Sequence, residues 1–337
     1  MRIIINRVST DPYFNLASEE YLLEHSSGDV FMLWQNGKSV IIGKNQNAWA
    51  EVNTDFAESA GIKVVRRLTG GGAVFHDPGN VNFTFITDAD DATRIDFARF
   101  ASPIIRALAK LGVTAALDGR NDIIADGCKI SGNAQCVYRR ADGTRRLMHH
   151  GTLLYDADMS SMAGVLRPHD DKLRSKGIKS VRSRVGNIRA IGSLEQDCSG
   201  FVEHLSRFAC EEYGANATGF TEAETAGIAQ LAREKYSTWE WNFGRSPEYG
   251  ETKRERFPFG TVEVSYTLRD GRIAECSVKG DFFGTEDVSA VTSALIGVRL
   301  ERGDVLAALA SANVGAAISG AEPDAIASLI CGETAKS

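Results

Sequence analysis

The amino-acid sequence predicts an α+β protein: mixed and antiparallel sheets flanked by helices, with a small C-terminal βαα domain. Three observations carry that reading. Residues 121–156 alternate polar and apolar side chains and are punctuated by Asp126-Gly127 and Asp142-Gly143, the pattern of an antiparallel meander. Among the strand-like runs stand segments of helical period, of which 95–112 is the clearest. After a charged tract at 251–260 the chain turns to one hairpin followed by Ala-rich segments.

Taken in order, Asp11-Pro12 opens the first helix, with Asp as N-cap and Pro in the first turn. DVFMLWQN and SVIIGK read as two strands joined by a hairpin turn at Asn36-Gly37. IKVVRRLT (62–69) and VNFTFIT (81–87) are strands on either side of a glycine segment. IDFARFASPIIRALAKLG (95–112) places Ala101, Ile104, Ile105, Leu108 and Leu111 on one helical face, with Pro103 as a point of kinking. TVEVSYTLRDGRIAECSVKG turns about Asp270-Gly271, and two or three helices fill 285–332. The expected division is a catalytic-size domain over 1–250, a linker at 251–260 and a small domain at 261–337.

Bulk properties exclude several classes. With 337 residues, 43% of them hydrophobic, the chain is long enough for a large core and a second domain. Its net charge of −6 argues against a nucleic-acid binder. No apolar run reaches the ~20 residues of a membrane span, and the N-terminal segment lacks a signal-peptide core. The six cysteines are scattered, as in a reduced cytoplasmic protein.

Two constellations carry chemistry. RRLTGGGAVFHDPGNVNFTF (66–85) fits neither a dinucleotide fingerprint nor a Walker loop, since a strand rather than a helix follows the glycines. Consecutive glycines present backbone N–H groups to an anion, and Arg67 adds a fork-shaped charge; a bulged corner with surface arginines explains the same residues. In the second, CKISGNAQC (128–136), strand parity aligns Lys129 with Ser131, Asn133 and Gln135 and puts Cys128 on the opposite face. A solvated face and a cavity for carboxylate and phosphate both account for that polar row. By the same parity His149 and His150 point apart, which argues against joint metal ligation. His76 is assigned to shaping the HDPG turn.

With these segments, GRNDIIADGCKISGNAQ, HHGTLLYD, SKGIKSVRSRVGNI and WEWNFG in order, the chain resembles the lipoate–protein ligase A family. The resemblance covers most of the first 245 residues. It implies the fold of the biotin/lipoate ligase, or class II synthetase-like, type and a cytoplasmic two-step enzyme. Lipoate attacks the α-phosphate of ATP, pyrophosphate leaves, and lipoyl-AMP yields its acyl group to a lysine of an acceptor domain. Acceptors of this type belong to 2-oxoacid dehydrogenase acyltransferase subunits or glycine-cleavage H protein. ATP with Mg²⁺ and lipoate are substrates, with no tightly bound cofactor, nucleic acid or membrane partner.

By motif position, the resemblance implies that Lys129 is catalytic and touches both the lipoyl carbonyl and the α-phosphate. Arg67, Gly72, Ala73, Val74, Phe75, Asn82 and Asp122 would hold ATP or adenylate, with Asp122 also a route to Mg²⁺. Lipoate would lie against Lys129, Gly71, Gly72, Phe83 and His150, in an apolar slot drawn from Trp34, Val40, Ile42, Val74, Phe83 and Phe85. At roughly 0.8 kcal/mol per buried methylene such a slot binds well. It discriminates only about 10–200-fold per methylene, so octanoate is expected as a substrate too. The basic tract 172–189 is assigned to docking an acidic acceptor or covering the adenylate. Two alternatives stay open: an octanoyl or lipoyl acyltransferase on the same fold, and a non-catalytic lipoate-binding protein.

Overall fold

The computed structural model describes residues 1–90, 95–119, 121–158, 164–166, 185–243 and 250–331. The chain resolves into two units. The first comprises residues 1–42, 48–68 and 73–243; the second comprises 43–47, 69–72 and 244–337.

The frame of the first unit is an eight-stranded sheet. Its strands are β1 (Arg2–Ile5), β2 (Val30–Trp34), β6 (Asn80–Ala89), β7 (Ala115–Asp118), β8 (Asp122–Ala125), β9 (Cys128–Arg139), β10 (Arg145–Leu154) and β11 (Ala217–Thr218), in the order β11-β1-β2-β6-β10-β9-β8-β7. The β7–β10 stretch is the expected meander. Asp126 (φ 48°) and Gly127 (φ 69°) form its first tight turn in left-handed geometry, which Asp tolerates and Gly adopts freely. A second sheet of β3 (Ser39–Ile42), β4 (Lys63–Arg66) and β5 (Val74–His76) is ordered β4-β3-β5. The hairpin expected at Asn36-Gly37 does not form: β2 and β3 belong to different sheets. The side chain of Asn36 is buried and bonded to Asn15 and His76, which a solvent-facing turn residue is not.

Helix Pro12–His25 starts as its sequence dictates, with Asp11 capping the amide of Tyr13 at 3.0 Å. Helix Phe97–Ala109 is capped by Asp96 and continues through Pro103. It packs Phe100, Ala101, Ile104 and Leu108 on one face of the large sheet, against Phe31, Phe83, Phe85 and Ile123. The opposite face of β2, β6 and β10 meets helix 12–25 and the small sheet through Met32, Trp34, Ile41, Val65, Ile86 and Met148.

In the second unit, the tract expected as a linker is a strand. β12 (Glu251–Phe257) pairs with β13 (Gly260–Arg269), which pairs with β14 (Arg272–Gly280). Charged residues suit β12 because it is an edge strand with mostly exposed side chains. Helices Ser289–Leu295, Arg302–Ser311 and Pro323–Cys331 cover this sheet over Val262, Val264, Tyr266, Leu309 and Ile326. Loops 43–47 and 69–72 cluster with this unit. The glycine run explains itself here. A Cβ on Gly70 would lie 2.0 Å from the carbonyl oxygen of Phe282, and Gly71 has φ 90°. Packing and backbone geometry therefore require two of the three glycines; a Cβ on Gly72 meets nothing.

Candidate active site

Strand alternation sorts the residues of the large sheet into two sets. On β6, Val81, Phe83 and Phe85 enter the apolar core, while Asn80, Asn82 and Thr84 take the other face. On β10, His149 goes with the first set and His150 with the second. His149 stacks between Phe83 and Phe100, with ring centroids 5.8 and 5.0 Å away, and is bonded to Gln135 and Asn133. Burial holds its pKa well below the usual value. His150 Nδ1 instead lies 2.9 Å from Glu19 Oε1, which also accepts from Thr84 Oγ1 at 2.6 Å. Thr84 in turn accepts from Trp34 Nε1 at 2.9 Å.

Lys129 reaches this second face by a break in register. Between Ile123 and Ile124 the β8–β9 pairing shifts by one residue, so Lys129 pairs with Ile124 while Gly132 pairs with Asp122. The parity expected from an unbroken strand is thus reversed. Ser131, Asn133 and Gln135 are buried; Asn133 and Gln135 serve His149, and Asn133 is also bonded to Ser131 and Asn121. Lys129 shares its face with Gly132 and Asp122. Its Nζ is 2.7 Å from Asp122 Oδ1, both side chains about one-third exposed. The bare Cα of Gly132 gives it room: a Cβ there would lie 3.1 Å from Nζ. Cys128 remains across the strand, against Gly186.

Arg67 follows β4 and is 5% exposed, its Nη1 donating to Ile41 O at 3.0 Å. Burial lowers its pKa to about 10, the Glu19 carboxylate opposing that shift, so it stays charged at neutral pH. Arg66 points elsewhere, donating to Trp241 O and Asn242 O. Next to Arg67 is His76, 3% exposed and driven down to about 3 by burial and by the Arg67 and His150 charges. It sits in β5; the turn is shaped by Asp77, which accepts from the amides of Gly79 and Asp158. Asn82 is buried and accepts from Asn80 Nδ2 at 2.9 Å.

Of the expected residues, Arg67, Asn82, Asp122, Lys129 and His150 lie on one side of the sheet, with Lys129 against Asp122 and Arg67 near Glu19 and His76, and Ala73 and Val74 lead into the strand that carries His76. Phe83 does not. It is fully buried on the far face beside Phe85 and His149, because it is one residue out of phase with Asn82 and Thr84. Phe85 shares that fate, and Val40 and Ile42 fill a separate cluster with Ala48, Val52, Ile62 and Phe75. Trp34 and Val74 are the slot candidates that face the polar set's side. Glu19, Thr84 and Asn36 were not foreseen. A buried acid inside an Asn-Leu-Ala-Ser-Glu-Glu helix is visible in sequence only through its partners.

Of the basic tract 172–189, residues 172–184 lie outside the described residues. Among the described residues no three His, Cys, Asp or Glu side chains are grouped to hold a metal, and no helix is long and apolar enough to cross a membrane.

The comparisons with known proteins define the class. Residues 11–208 match the model of the lipoyl protein ligase A/B catalytic domain, and 246–330 the bacterial lipoate protein ligase C-terminus. The chain belongs to the lipoate–protein ligase family. It is 41% identical to lipoate-protein ligase LplJ of Bacillus subtilis, over 93% of this chain and 95% of that protein. It is 40% identical to lipoate–protein ligase 1 of Staphylococcus aureus, over 88% and 90%. Among solved structures, lipoate-protein ligase A bound with ATP matches 72% of this chain and 98% of that one, at 27% identity and a TM-score of 0.59.

Proposed function

We propose that this protein is an ATP-dependent lipoate–protein ligase that forms lipoyl-AMP and passes the lipoyl group to a lysine of an acceptor domain. The observation that carries the reading is the pairing of a fixed buried cation, Arg67, with a reachable one, Lys129, on one polar sheet face. A carboxylate approaching a polyphosphate needs such cations more than it needs a protein nucleophile. Arg67 holds phosphate; Ala73, Val74 and Phe75, with Gly71 and Gly72 before them in the chain, offer backbone groups to the nucleotide or lipoate. Asn82 and His150 supply polar contacts. Lys129 draws the carboxylate and α-phosphate together and then carries the charge that develops on the acyl oxygen during transfer. Its ion pair with Asp122 holds the ammonium out until an anion competes for it. Among the described residues Asp122 belongs to no group of three metal-ligating side chains, which suits a Mg²⁺ brought in on ATP rather than a resident ion.

Acceptor domains are proposed from the relatives: an archaeal bi-partite lipoate protein ligase is described with its E2 lipoyl domain, at 28% identity and a TM-score of 0.61. Octanoate is proposed as a second substrate, and the cytoplasm as the site of action. The acyltransferase alternative needs a nucleophile beside Lys129, and Cys128 lies across the strand. Lipoate-dependent exchange of labelled pyrophosphate into ATP tests the reading: the ligase catalyses it, whereas an acyltransferase or a mere binder does not.

A further inference from the structure

A chain of buried asparagines ends at His76 and dictates which of its nitrogens carries the proton. The chain is anchored at two points by groups whose roles are fixed. The amide of Val8 can only donate, so the atom of Asn6 it meets at 3.0 Å is Oδ1. The carbonyl of Gln35 can only accept, so the atom of Asn15 it meets at 2.7 Å is Nδ2. Asn6 Nδ2 then donates to Asn15 Oδ1 at 2.6 Å, and Asn15 Nδ2 donates to Asn36 Oδ1 at 2.8 Å. Only Nδ2 of Asn36 remains, and it faces His76 Nδ1 at 3.1 Å. Nδ1 is thus an acceptor, and the proton of the neutral imidazole sits on Nε2. That Nε2–H is buried, 3% of the residue being exposed, and has no hydrogen-bond partner among the described residues. Its neighbours by charge are Arg67 and His150, and the ring lies edge-on to Trp34 with centroids 6.2 Å apart.

Three asparagines spent on orienting one imidazole are costly unless the oriented donor is used. A buried donor without a partner carries a desolvation cost that a ligand acceptor repays. Burial also keeps the ring neutral over the physiological range, so the donor does not become a competing cation beside Arg67. We propose that His76 is a further substrate-binding residue, giving Nε2–H to an acceptor atom of bound lipoate, with Asn6, Asn15 and Asn36 as the positioning residues that fix its tautomer. This rests on the lipoate reading above. The acceptor is a carboxyl oxygen, which octanoate shares, or a dithiolane sulfur, which it lacks.

Long-range ¹H–¹⁵N correlation spectra of the full chain, labelled with ¹⁵N-histidine, test both halves. In the free protein His76 is expected as the neutral Nε2–H tautomer; the Nδ1–H form, or fast averaging of the two, overturns the proposal. Adding saturating lipoate should move the Nε2 proton downfield and slow its exchange with water. The same change with octanoate assigns the oxygen; a change with lipoate alone assigns the sulfur. If calorimetry shows lipoate bound while Nε2–H stays unchanged, this proposal fails and the ligase reading stands. If lipoate does not bind, both fail together. Asn36→Asp keeps the acceptor for Asn15 but puts an acceptor opposite Nδ1, forcing the proton there. It should raise KM for lipoate at least tenfold, with kcat less affected and the thermal midpoint within a few degrees. A switched tautomer with unchanged KM would sink the proposal.

Discussion

His149 and His150 are consecutive residues on one strand, and the two faces of the large sheet give them opposite work. His149 is sealed among Phe83, Phe97 and Phe100, its nitrogens spent on Gln135 and Asn133. His150 meets Glu19 in a polar set that extends through Thr84 to Trp34. Both faces are buried and both contain polar groups. What differs is the pairing of the imidazoles: both ring nitrogens of His149 are bonded within the protein, whereas His76 Nε2 has no partner among the described residues. A buried unpaired atom alone does not separate the faces, since Thr87 Oγ1 on the His149 side is one too. Burial alone therefore does not distinguish the two faces; an unpaired ring nitrogen beside the fixed charge of Arg67 does.

Breaking the closed face should cost stability and leave the chemistry. Phe83→Ala removes a fully buried ring and should lower unfolding stability by about 3–5 kcal/mol, with KM for lipoate unchanged in the protein that remains folded. Urea unfolding read beside pyrophosphate exchange checks both. A normal midpoint with a raised KM would return Phe83 to the ligand wall.

Breaking the open face should do the reverse. Lys129→Ala should lower exchange by about 10²–10³-fold, the size of a lost charge-stabilising donor. Stability should hardly move, because the lysine is one-third exposed and its pair with Asp122 is solvent-screened. Near-normal exchange would remove Lys129 from the chemistry.

A subtler change tests the packing of the closed face itself. Gly151 pairs with Phe83 across β6 and β10, and a Cβ there would lie 2.4 Å from both the Phe83 ring and Asn133 Oδ1. Gly151→Ala should destabilise by about 1–3 kcal/mol through overpacking, seen as a lower thermal midpoint. An unchanged midpoint would mean that the ring has room to yield.

These contrasts also define what the sequence could and could not disclose. Helix 12–25, the Asp126-Gly127 turn and the split of His149 from His150 were legible, because each depends on local backbone chemistry or simple alternation. Arg67 and Lys129 are singled out only by the family resemblance; the structure places Arg67 buried and Lys129 one-third exposed against Asp122. The face of Lys129 was misread because a one-residue register shift leaves no mark on composition, and it inverts every parity argument beyond it. Phe83 was misplaced although its own parity separates it from Asn82; apolar character outweighed phase in choosing it. Asn36 was read as a turn residue for its Asn-Gly pair, whereas its partners, Asn15 and His76, lie 21 and 40 positions away. Long-range hydrogen bonding of this kind is invisible to any local pattern.

The smallest effect concerns pH, and it treats His149 and His76 alike. His149 and His76 both have folded pKa values depressed below 6.5 by burial, His76 to about 3. Unfolding restores the ordinary value, so below pH 6.5 the unfolded chain takes up protons that the folded one refuses. Each group's contribution is complete above pH 6.5 and shrinks as pH falls towards its folded pKa, by about 1.4 kcal/mol per pH unit per histidine. Between pH 6 and 5 the protein should lose stability along this slope, and His149→Phe should make the slope shallower by about one proton even if it lowers the plateau. Because both rings are already neutral in the folded protein between pH 6 and 5, bound lipoate should raise the midpoint without changing the slope that either histidine contributes. Urea midpoints at half-unit pH steps, with and without lipoate, measure both; a slope that stays the same in the His149→Phe variant would show that proton uptake by that ring does not set it.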